Sequence, residues 1–215
     1  MAHVSPRPQG ELDFLEPVLA DARRHLGFLP NSLLTMAHMP HVALAFGLLM
    51  SSVRGGDLRA AYARIADHIP PADDSALNVE PALLQLAAFA VSVGAGCRYC
   101  QAHTSHTLET MGVPAGKVAA LLNFETSEQF DARERAVVAL ALAAAQVPSA
   151  VNEQHFTALR EFFSDRQIVQ LVSMLSLFGF LNRWNDTLAT ALEGPPREFA
   201  ASVLAGMDWE AGKHR

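Results

Sequence analysis

The sequence has few cysteines, few aromatic residues and no excess of positive charge. Two of its 215 residues are cysteine, and 7% are aromatic. Sixteen Lys and Arg stand against 22 Asp and Glu, so the formal net charge is −6. A chain without a basic excess lacks the field that attracts phosphate backbones, and we expect no nucleic acid partner. Two neighbouring cysteines cannot staple distant parts of a fold, so their role must be local.

Long apolar runs and targeting patterns are also scarce. The most apolar runs, residues 83–97 and 136–145, are shorter than the roughly 18 residues that span a bilayer, and Gln85 and Ser92 interrupt the first. The N-terminus has neither a basic region before an apolar stretch nor an Arg/Ser-rich amphipathic pattern. We therefore expect no transmembrane helix, no membrane partner and a cytoplasmic location.

The hydrophobic half of the chain follows the 3.6-residue period of an α-helix, and alternating β-branched runs are almost missing. This pattern predicts an all-α fold. The mean hydropathy of +0.16 is high for a soluble monomer, which favours apolar contacts between subunits and a homo-oligomer. The spacing predicts helices over residues 11–25, 32–38, 40–53, 57–67, 78–94, 97–111, 114–122, 132–146, 150–163, 165–180, 183–192 and 197–206.

Capping patterns support several of these helix ends. Asp131 with Glu134, and Ser164 with Gln167, have the spacing at which two residues cap the first exposed amides reciprocally. Gly112 is typical of the residue that follows a helix.

Proline-rich loops divide the chain, at residues 69–75 and before the short last helix. We predict an N-terminal helical part (1–75) packing on a core (76–194), followed by a C-terminal helix and tail (195–215), together one structural domain. A shift of 51 positions places residues 83–122 over 134–173 without gaps, which suggests a degenerate internal helical repeat.

The residues with clear chemical potential lie between Gly94 and His106. Two glycines end one predicted helix, and the next begins near Cys97. A thiol at a helix N-terminus is exposed to the positive end of the helix dipole, and Arg98 adds a cation, so we expect a lowered Cys97 pKa. Cys100 follows one turn later on the same face, close enough for a disulfide. The pair can therefore cycle between dithiol and disulfide.

Two histidines follow the cysteines, and alternative functions of this cluster can be weighed. His103 is three residues from Cys100 and is the better candidate base, while His106 sits further round the helix. Covalent haem attachment needs a histidine where Gln101 stands. Side chains spaced by three spread over half of a helix circumference, so they cannot all reach one zinc ion without further ligands. A thioredoxin domain would need strands, and simple burial of two cysteines is the remaining alternative. We expect no metal and no cofactor.

Three segments of the chain resemble one known family. They are residues 27–33 (GFLPNSL), 96–104 (GCRYCQAHT) and 180–186 (FLNRWND). They are similar to the carboxymuconolactone decarboxylase superfamily and, within it, to the alkylhydroperoxidase D-like proteins. The resemblance implies an all-α fold, trimers or higher multiples such as hexamers with active sites near subunit contacts, and a cysteine pair that reduces peroxides without metal or flavin.

The chain departs from the family pattern at two positions. In the family pattern a Glu and a His relay protons to the thiols, and this sequence has Gln85 and Thr104 at those two positions. The resemblance therefore leaves the proton relay to His103 or His106, together with a partner that the sequence does not identify. The resemblance makes Cys100 the attacking cysteine and Cys97 the resolving one. The helix dipole favours the reverse, and the assignment stays open.

The expected function is that of an oxidoreductase with peroxidase (peroxiredoxin-type, antioxidant) activity. A Cys97–Cys100 disulfide forms and is reduced by an external dithiol, thioredoxin-like or lipoyl. The alternative is a non-enzymatic redox sensor or binding protein, and a decarboxylase-type reaction is disfavoured because it does not use such a pair. Tyr99 either gates the thiol pocket or packs, and packing is favoured. The resemblance also points to pocket residues from a neighbouring subunit, namely Asn182, Trp184 and Asp186.

Overall fold

The computed structural model describes residues 2–215, and this part of the chain is helical without strands, which confirms the all-α prediction. Short 3₁₀ turns join several of the α-helices. The α-helices are α1 (Glu16–Leu26), α2 (Asn31–Met36), α3 (Pro40–Val53), α4 (Leu58–Ile65), α5 (Pro81–Gly94), α6 (Arg98–Thr110), α7 (Ala115–Ala119), α8 (Ala132–Ala144), α9 (Glu153–Arg160), α10 (Asp165–Leu188) and α11 (Gly194–Val203).

The predicted caps are present. The Asp131 carboxylate accepts from the Glu134 amide at 2.7 Å, and Glu134 accepts from the Asp131 amide at 3.0 Å. Ser164 and Gln167 exchange the same pair of hydrogen bonds, at 3.0 and 3.3 Å. Gly112 follows α6 with φ +83°, the left-handed conformation that ends helices. The two capping patterns and the glycine stop are thus confirmed.

One helix prediction is wrong. The separate helices expected over 165–180 and 183–192 are the single helix α10. Asn182 and Asn185 are weak helix formers, but both are buried, at 4% and 7% exposure. Tertiary burial of this kind commonly overrides local propensity, and no proline interrupts the segment.

The described chain divides into two compact units. The first joins the residues up to 78 with residues 164–170, and the second comprises residues 79–163 and 171–215. The Arg166 guanidinium binds the Leu77 carbonyl at 2.8 Å and the Asn78 side chain at 3.0 Å, and also Asp73. The first unit has its own leucine-rich core (Leu12, Leu15, Leu19, Leu33, Leu34, Ala37, Ala43, Leu44 and Ile65). The three-part division drawn from the sequence stays a prediction.

Helix α5 forms the centre of the second unit. It packs against α6 on one side and α8 on another, and α11 packs on α6. A helix that is apolar all round is typical of such a buried position. Helices α5 and α8 begin at residues 81 and 132, the 51-position offset of the predicted repeat.

The stretch Ser75–Gly94 is long and apolar enough to cross a membrane by length and composition alone. It is longer than the run 83–97 because it includes the turn before α5. Within its most apolar window, 56% is buried inside the protein, as in the core helix of a globular fold.

Candidate thiol site

The turn between α5 and α6 positions the first cysteine. At Gly94 a Cβ would lie 2.7 Å from the Cβ of Ala145, so glycine lets the end of α5 approach the residue that follows α8. Gly96 has φ +74°, which favours glycine. The chain then enters α6 with Cys97 as its N-cap residue. Of the two glycines noted in the sequence, Gly94 therefore permits close packing and Gly96 permits the turn.

Both cysteines are buried free thiols at the start of α6. Cys97 is 2% exposed and Cys100 3% exposed. The Cys100 amide donates to the Cys97 sulfur at 3.5 Å, and the Cys97 amide donates to the Ser92 carbonyl at 3.2 Å. The sulfur thus takes the place of the oxygen in an ordinary N-cap, where unpaired amides favour a negative charge.

The two thiols differ in acidity. A hydrogen bond from the Cys100 side chain, assisted by the Cys100 amide, lowers the pKa of Cys97 to about 7. The same side-chain hydrogen bond, together with burial, raises the pKa of Cys100 above its usual value. The lowered Cys97 pKa agrees with the sequence prediction, but the neighbouring thiol is its first cause. The Arg98 guanidinium binds Gln101 at 3.2 Å.

Side chains distant in sequence complete the surroundings of the sulfurs. The Asn185 amide donates to the Cys100 sulfur at 3.5 Å and lowers the Cys100 pKa, opposing the other influences. The Cys97 sulfur, an Asp186 oxygen and a His214 ring nitrogen all lie within 4.8 Å of one another. His214 is 1% exposed, and its Nδ1 lies 2.9 Å from the Thr190 carbonyl.

The cluster of Cys97, Asp186 and His214 has donor types that a cation such as Zn²⁺ accepts. However, the Lys213 ammonium lies 3.0 Å from the Asp186 carboxylate and is the first cause of its lowered pKa. This positive charge already neutralises the carboxylate and opposes a second cation. The geometry therefore fits proton transfer better than metal binding, and the absence of a metal stays a prediction.

His103, the predicted base, is held by the carboxylate of Glu193, the residue that precedes α11. Its Nε2 lies 2.7 Å from Glu193, and the Tyr99 hydroxyl donates to the other oxygen of Glu193 at 3.2 Å. The Tyr99 ring stacks on the His103 ring with centroids 4.4 Å apart. The His103 side chain is 39% exposed. Tyr99 therefore packs on the His103 ring and also hydrogen-bonds to Glu193. Burial and the charge of Glu193 raise the pKa of Tyr99.

The remaining predicted residues hold α6 in place. The Gln85 amide donates to the Thr104 carbonyl at 3.1 Å, which ties α5 to α6. The Thr104 hydroxyl donates back to the Cys100 carbonyl at 2.6 Å. His106 pairs with Glu109 at 3.2 Å and contacts the Phe199 ring. A relay role for these residues stays a prediction.

A cavity of about 560 Å³ lies in the second unit next to α10. Asp186, which belongs to the cluster around Cys97, is one of its lining residues. Asn182 and Arg183 add polar groups, and much of the remaining wall is apolar, including Val91, Leu140, Val172 and Leu175. The cavity therefore suits an organic molecule with a polar end.

Sequence reasoning missed Asn185, Glu193 and His214. Asp186 was flagged by the resemblance, as a residue of a neighbouring subunit, and it lies beside Cys97 of its own chain. No local spacing links the others to the cysteines, because the fold brings them together from α10, the start of α11 and a turn over Gly212–His214.

Comparison with known proteins gives three kinds of result. The model of the carboxymuconolactone decarboxylase family matches residues 72–143, which include α5, α6 and both cysteines. No curated protein sequence matches the chain. The apo structure of the debrominase Bmp8 is 30% identical, with a TM-score of 0.57, over 93% of this chain and 97% of that one.

Two further solved structures are similar. A cysteine-to-alanine variant of Bmp8 in complex with 2,3,4-tribromopyrrole is 29% identical, with a TM-score of 0.57, over 94% of this chain and 98% of that one. An uncharacterized peroxidase-related protein from Silicibacter sp. TM1040 is 19% identical, with a TM-score of 0.51, over 94% of this chain and 93% of that one. The last likeness concerns the fold alone.

Proposed function

Because this chain belongs to the carboxymuconolactone decarboxylase superfamily and has its alkylhydroperoxidase D-like helical fold, we propose that it is a thiol-dependent reductase of organic hydroperoxides. The observation that carries the proposal is the pairing of an acidified thiol, Cys97, with a second thiol, Cys100, one helical turn away. Enzymes of other activities share the family, so the reaction is argued from the site.

The proposed reaction moves two electrons from the thiols to the peroxide. The Cys97 thiolate attacks the terminal peroxide oxygen, an S–O bond forms, the O–O bond breaks, and the alkoxide takes a proton to leave as an alcohol. The Cys100 sulfur, after giving up its proton, then attacks the Cys97 sulfenic acid. The S–S bond forms, the S–O bond breaks, and hydroxide leaves with a proton as water. An external dithiol, thioredoxin-like or lipoyl, reduces the disulfide by exchange.

Acidity supports Cys97 as the attacking residue, in contrast to the order that the family resemblance implies. The thiolate is the nucleophile, and only Cys97 has a lowered pKa. Cys100, with its raised pKa, holds a proton that the first step can use. The apolar cavity beside Asp186 supports an organic hydroperoxide over hydrogen peroxide as the better substrate.

Reductive debromination is a second candidate, favoured by the likeness to Bmp8 over nearly the whole of both chains. The same thiol pair would supply two electrons. A carbon–bromine bond is then replaced by a carbon–hydrogen bond, bromide and a proton are released, and the disulfide forms.

The non-enzymatic alternative is a redox sensor, which would form the disulfide once and would not turn over.

The proposal includes a homo-oligomer. An exposed apolar stripe runs along one face of α10 at positions three or four apart, formed by Leu177, Phe180, Trp184 and Leu188. Such a face supports self-association, and light scattering on the purified protein would measure the mass.

One steady-state experiment tests the reaction. Reduced protein is mixed with cumene hydroperoxide, hydrogen peroxide or tribromopyrrole, each with an excess of dihydrolipoamide or thioredoxin, and product and protein mass are followed. We expect a loss of two hydrogens in the first turnover and repeated turnover with the organic hydroperoxide. Cys97→Ser should abolish both. Because the reactive thiolate accumulates as pH rises, the rate should increase through about pH 7 and then level off.

The outcomes separate the candidates. Faster turnover of tribromopyrrole than of any peroxide would replace the proposal with debromination. A single turnover with every donor would indicate the sensor. A stable sulfinic acid on one cysteine beside a free thiol on the other would rule out disulfide resolution.

A further inference from the structure

His214 is a buried histidine whose orientation is fixed by the backbone. Its Nδ1 lies 2.9 Å from the Thr190 carbonyl, which can only accept, so Nδ1 carries the hydrogen. The backbone also holds the residue, because the Leu192 amide donates to the His214 carbonyl at 2.9 Å. In the neutral ring the other nitrogen, Nε2, therefore has a free lone pair.

Nε2 of His214 faces Asp186, which belongs to the cluster around Cys97. It is buried and makes no hydrogen bond with the residues that the structure describes, although an Asp186 oxygen lies 3.4 Å away. The Cys97 sulfur lies within 4.8 Å of the same ring and of Asp186. This distance is within reach of proton transfer through a bridging water or a small movement of the side chains.

We propose that His214 accepts the proton of the Cys97 thiol, with Asp186 oriented to stabilise the charged ring, so that the relay of this site comes from outside the cysteine helix. The residues on and next to the cysteine helix that could relay this proton are engaged with other partners. His103 directs its Nε2 to Glu193, and Gln85 donates to the Thr104 backbone. Neither the histidine nor the carboxylate of the family pattern is available at its usual position.

The charges around the ring agree with this role. A protonated His214 would lie within 4.8 Å of both the Cys97 thiolate and the Asp186 carboxylate, and burial strengthens such pairing. Lys213 balances the carboxylate from the solvent side at 3.0 Å. A positive His214 favours the Cys97 thiolate, while Asp186 opposes it. The groups that face this pair are Tyr99 and Cys100 of α6, Asp186 of α10, Lys213, and Glu193 through Tyr99.

The test compares two matched substitutions. In His214→Asn the side-chain amide can still donate to the Thr190 carbonyl, but nothing remains to accept the thiol proton. In the control, His25→Asn, the histidine Nδ1 also lies near a backbone carbonyl, that of Asp21, in the other unit. The thiolate absorbance of the reduced protein is titrated against pH, with Cys97→Ser in the same background as the blank.

We expect the Cys97 midpoint to rise by about one pH unit in His214→Asn, as for loss of a neighbouring charge, and to stay near pH 7 in His25→Asn. His214→Gln, which also lacks a proton acceptor, should give the same rise if the first variant is poorly folded. An unchanged midpoint in a folded variant would overturn the inference. So would one zinc ion per chain that is lost with His214, since the cluster would then be a metal site.

Only the catalytic consequence of this inference rests on the proposed function. The titration needs no substrate, so a raised midpoint in a protein that reduces no peroxide would refute the function and keep the relay. Peroxide turnover with an unchanged Cys97 midpoint would keep the proposed function and refute the relay.

Discussion

The thiol site is formed by two regions, one of neighbouring residues in the sequence and one that tertiary packing brings to the cysteines. The α5–α6 junction is local, since its glycines, its N-cap and both cysteines fall within a few consecutive residues. The region from Asn185 to His214 reaches the same sulfurs through tertiary packing. The first region supplies the reacting atoms, and the second adjusts their protonation. The motif therefore identifies the nucleophile and supplies the first cause of its acidity, while the fold adds the smaller influences of Asp186 and His214.

Replacing Cys100 with alanine should have the largest effect, because it removes the first cause of the Cys97 pKa shift. The Cys97 midpoint should move from about 7 towards the ordinary value of 9.0. This corresponds to roughly 2–3 kcal/mol of lost preference for the thiolate. Titration of the thiolate absorbance measures it. A midpoint that stays near 7 would mean that the distant region, and not the local pair, controls the acidity.

Gln85→Glu tests the local region through stability. At neutral pH the new carboxylate cannot donate to the Thr104 carbonyl, which it would face at close range. The free energy of unfolding should fall by about 1–3 kcal/mol, and the loss should shrink in acid, where a protonated Glu can donate. Urea unfolding at two pH values measures both. Unchanged stability with faster turnover would instead indicate that residue 85 takes part in the proton relay, as the family resemblance implies.

Asn185→Ala tests the distant region. It removes the hydrogen bond to the Cys100 sulfur, which favours the ionised form of that thiol. Closure of the disulfide should slow by roughly fivefold, about 1 kcal/mol, while the Cys97 midpoint stays near 7. Rapid mixing with peroxide followed by quenching would time the loss of the sulfenic acid. An equal rate of closure would remove Asn185 from the site.

Glu193→Gln should have the smallest effect. The pair that it forms with His103 is exposed to solvent, at 39% and 57% for the two side chains, so it contributes at most about 1 kcal/mol. The matched control is Glu109→Gln, which removes the carboxylate from His106. Turnover should fall by no more than about threefold in the first variant and should not change in the second. A much larger loss would make His103 the relay after all.

The same contrast explains what could be predicted from the sequence. Caps and the α6 start depend on neighbours within four residues, and the Asp131, Ser164 and Gly112 signals were confirmed. The unity of α10 was missed because burial of Asn182 and Asn185 is a tertiary property. The direction of His103 could not be read from helical spacing, since its partner comes from the start of α11.

Burial of both sulfurs has a consequence for recycling. A protein dithiol must touch a disulfide sulfur in line with the S–S bond, and at 2–3% exposure neither sulfur offers that approach. The groups packed against the sulfurs, among them Asn185 and His214, would have to move aside first. Local opening of this kind has its own rate. We expect regeneration to saturate at high donor concentration, with a ceiling that is the same for every protein donor, and a small dithiol to exceed it.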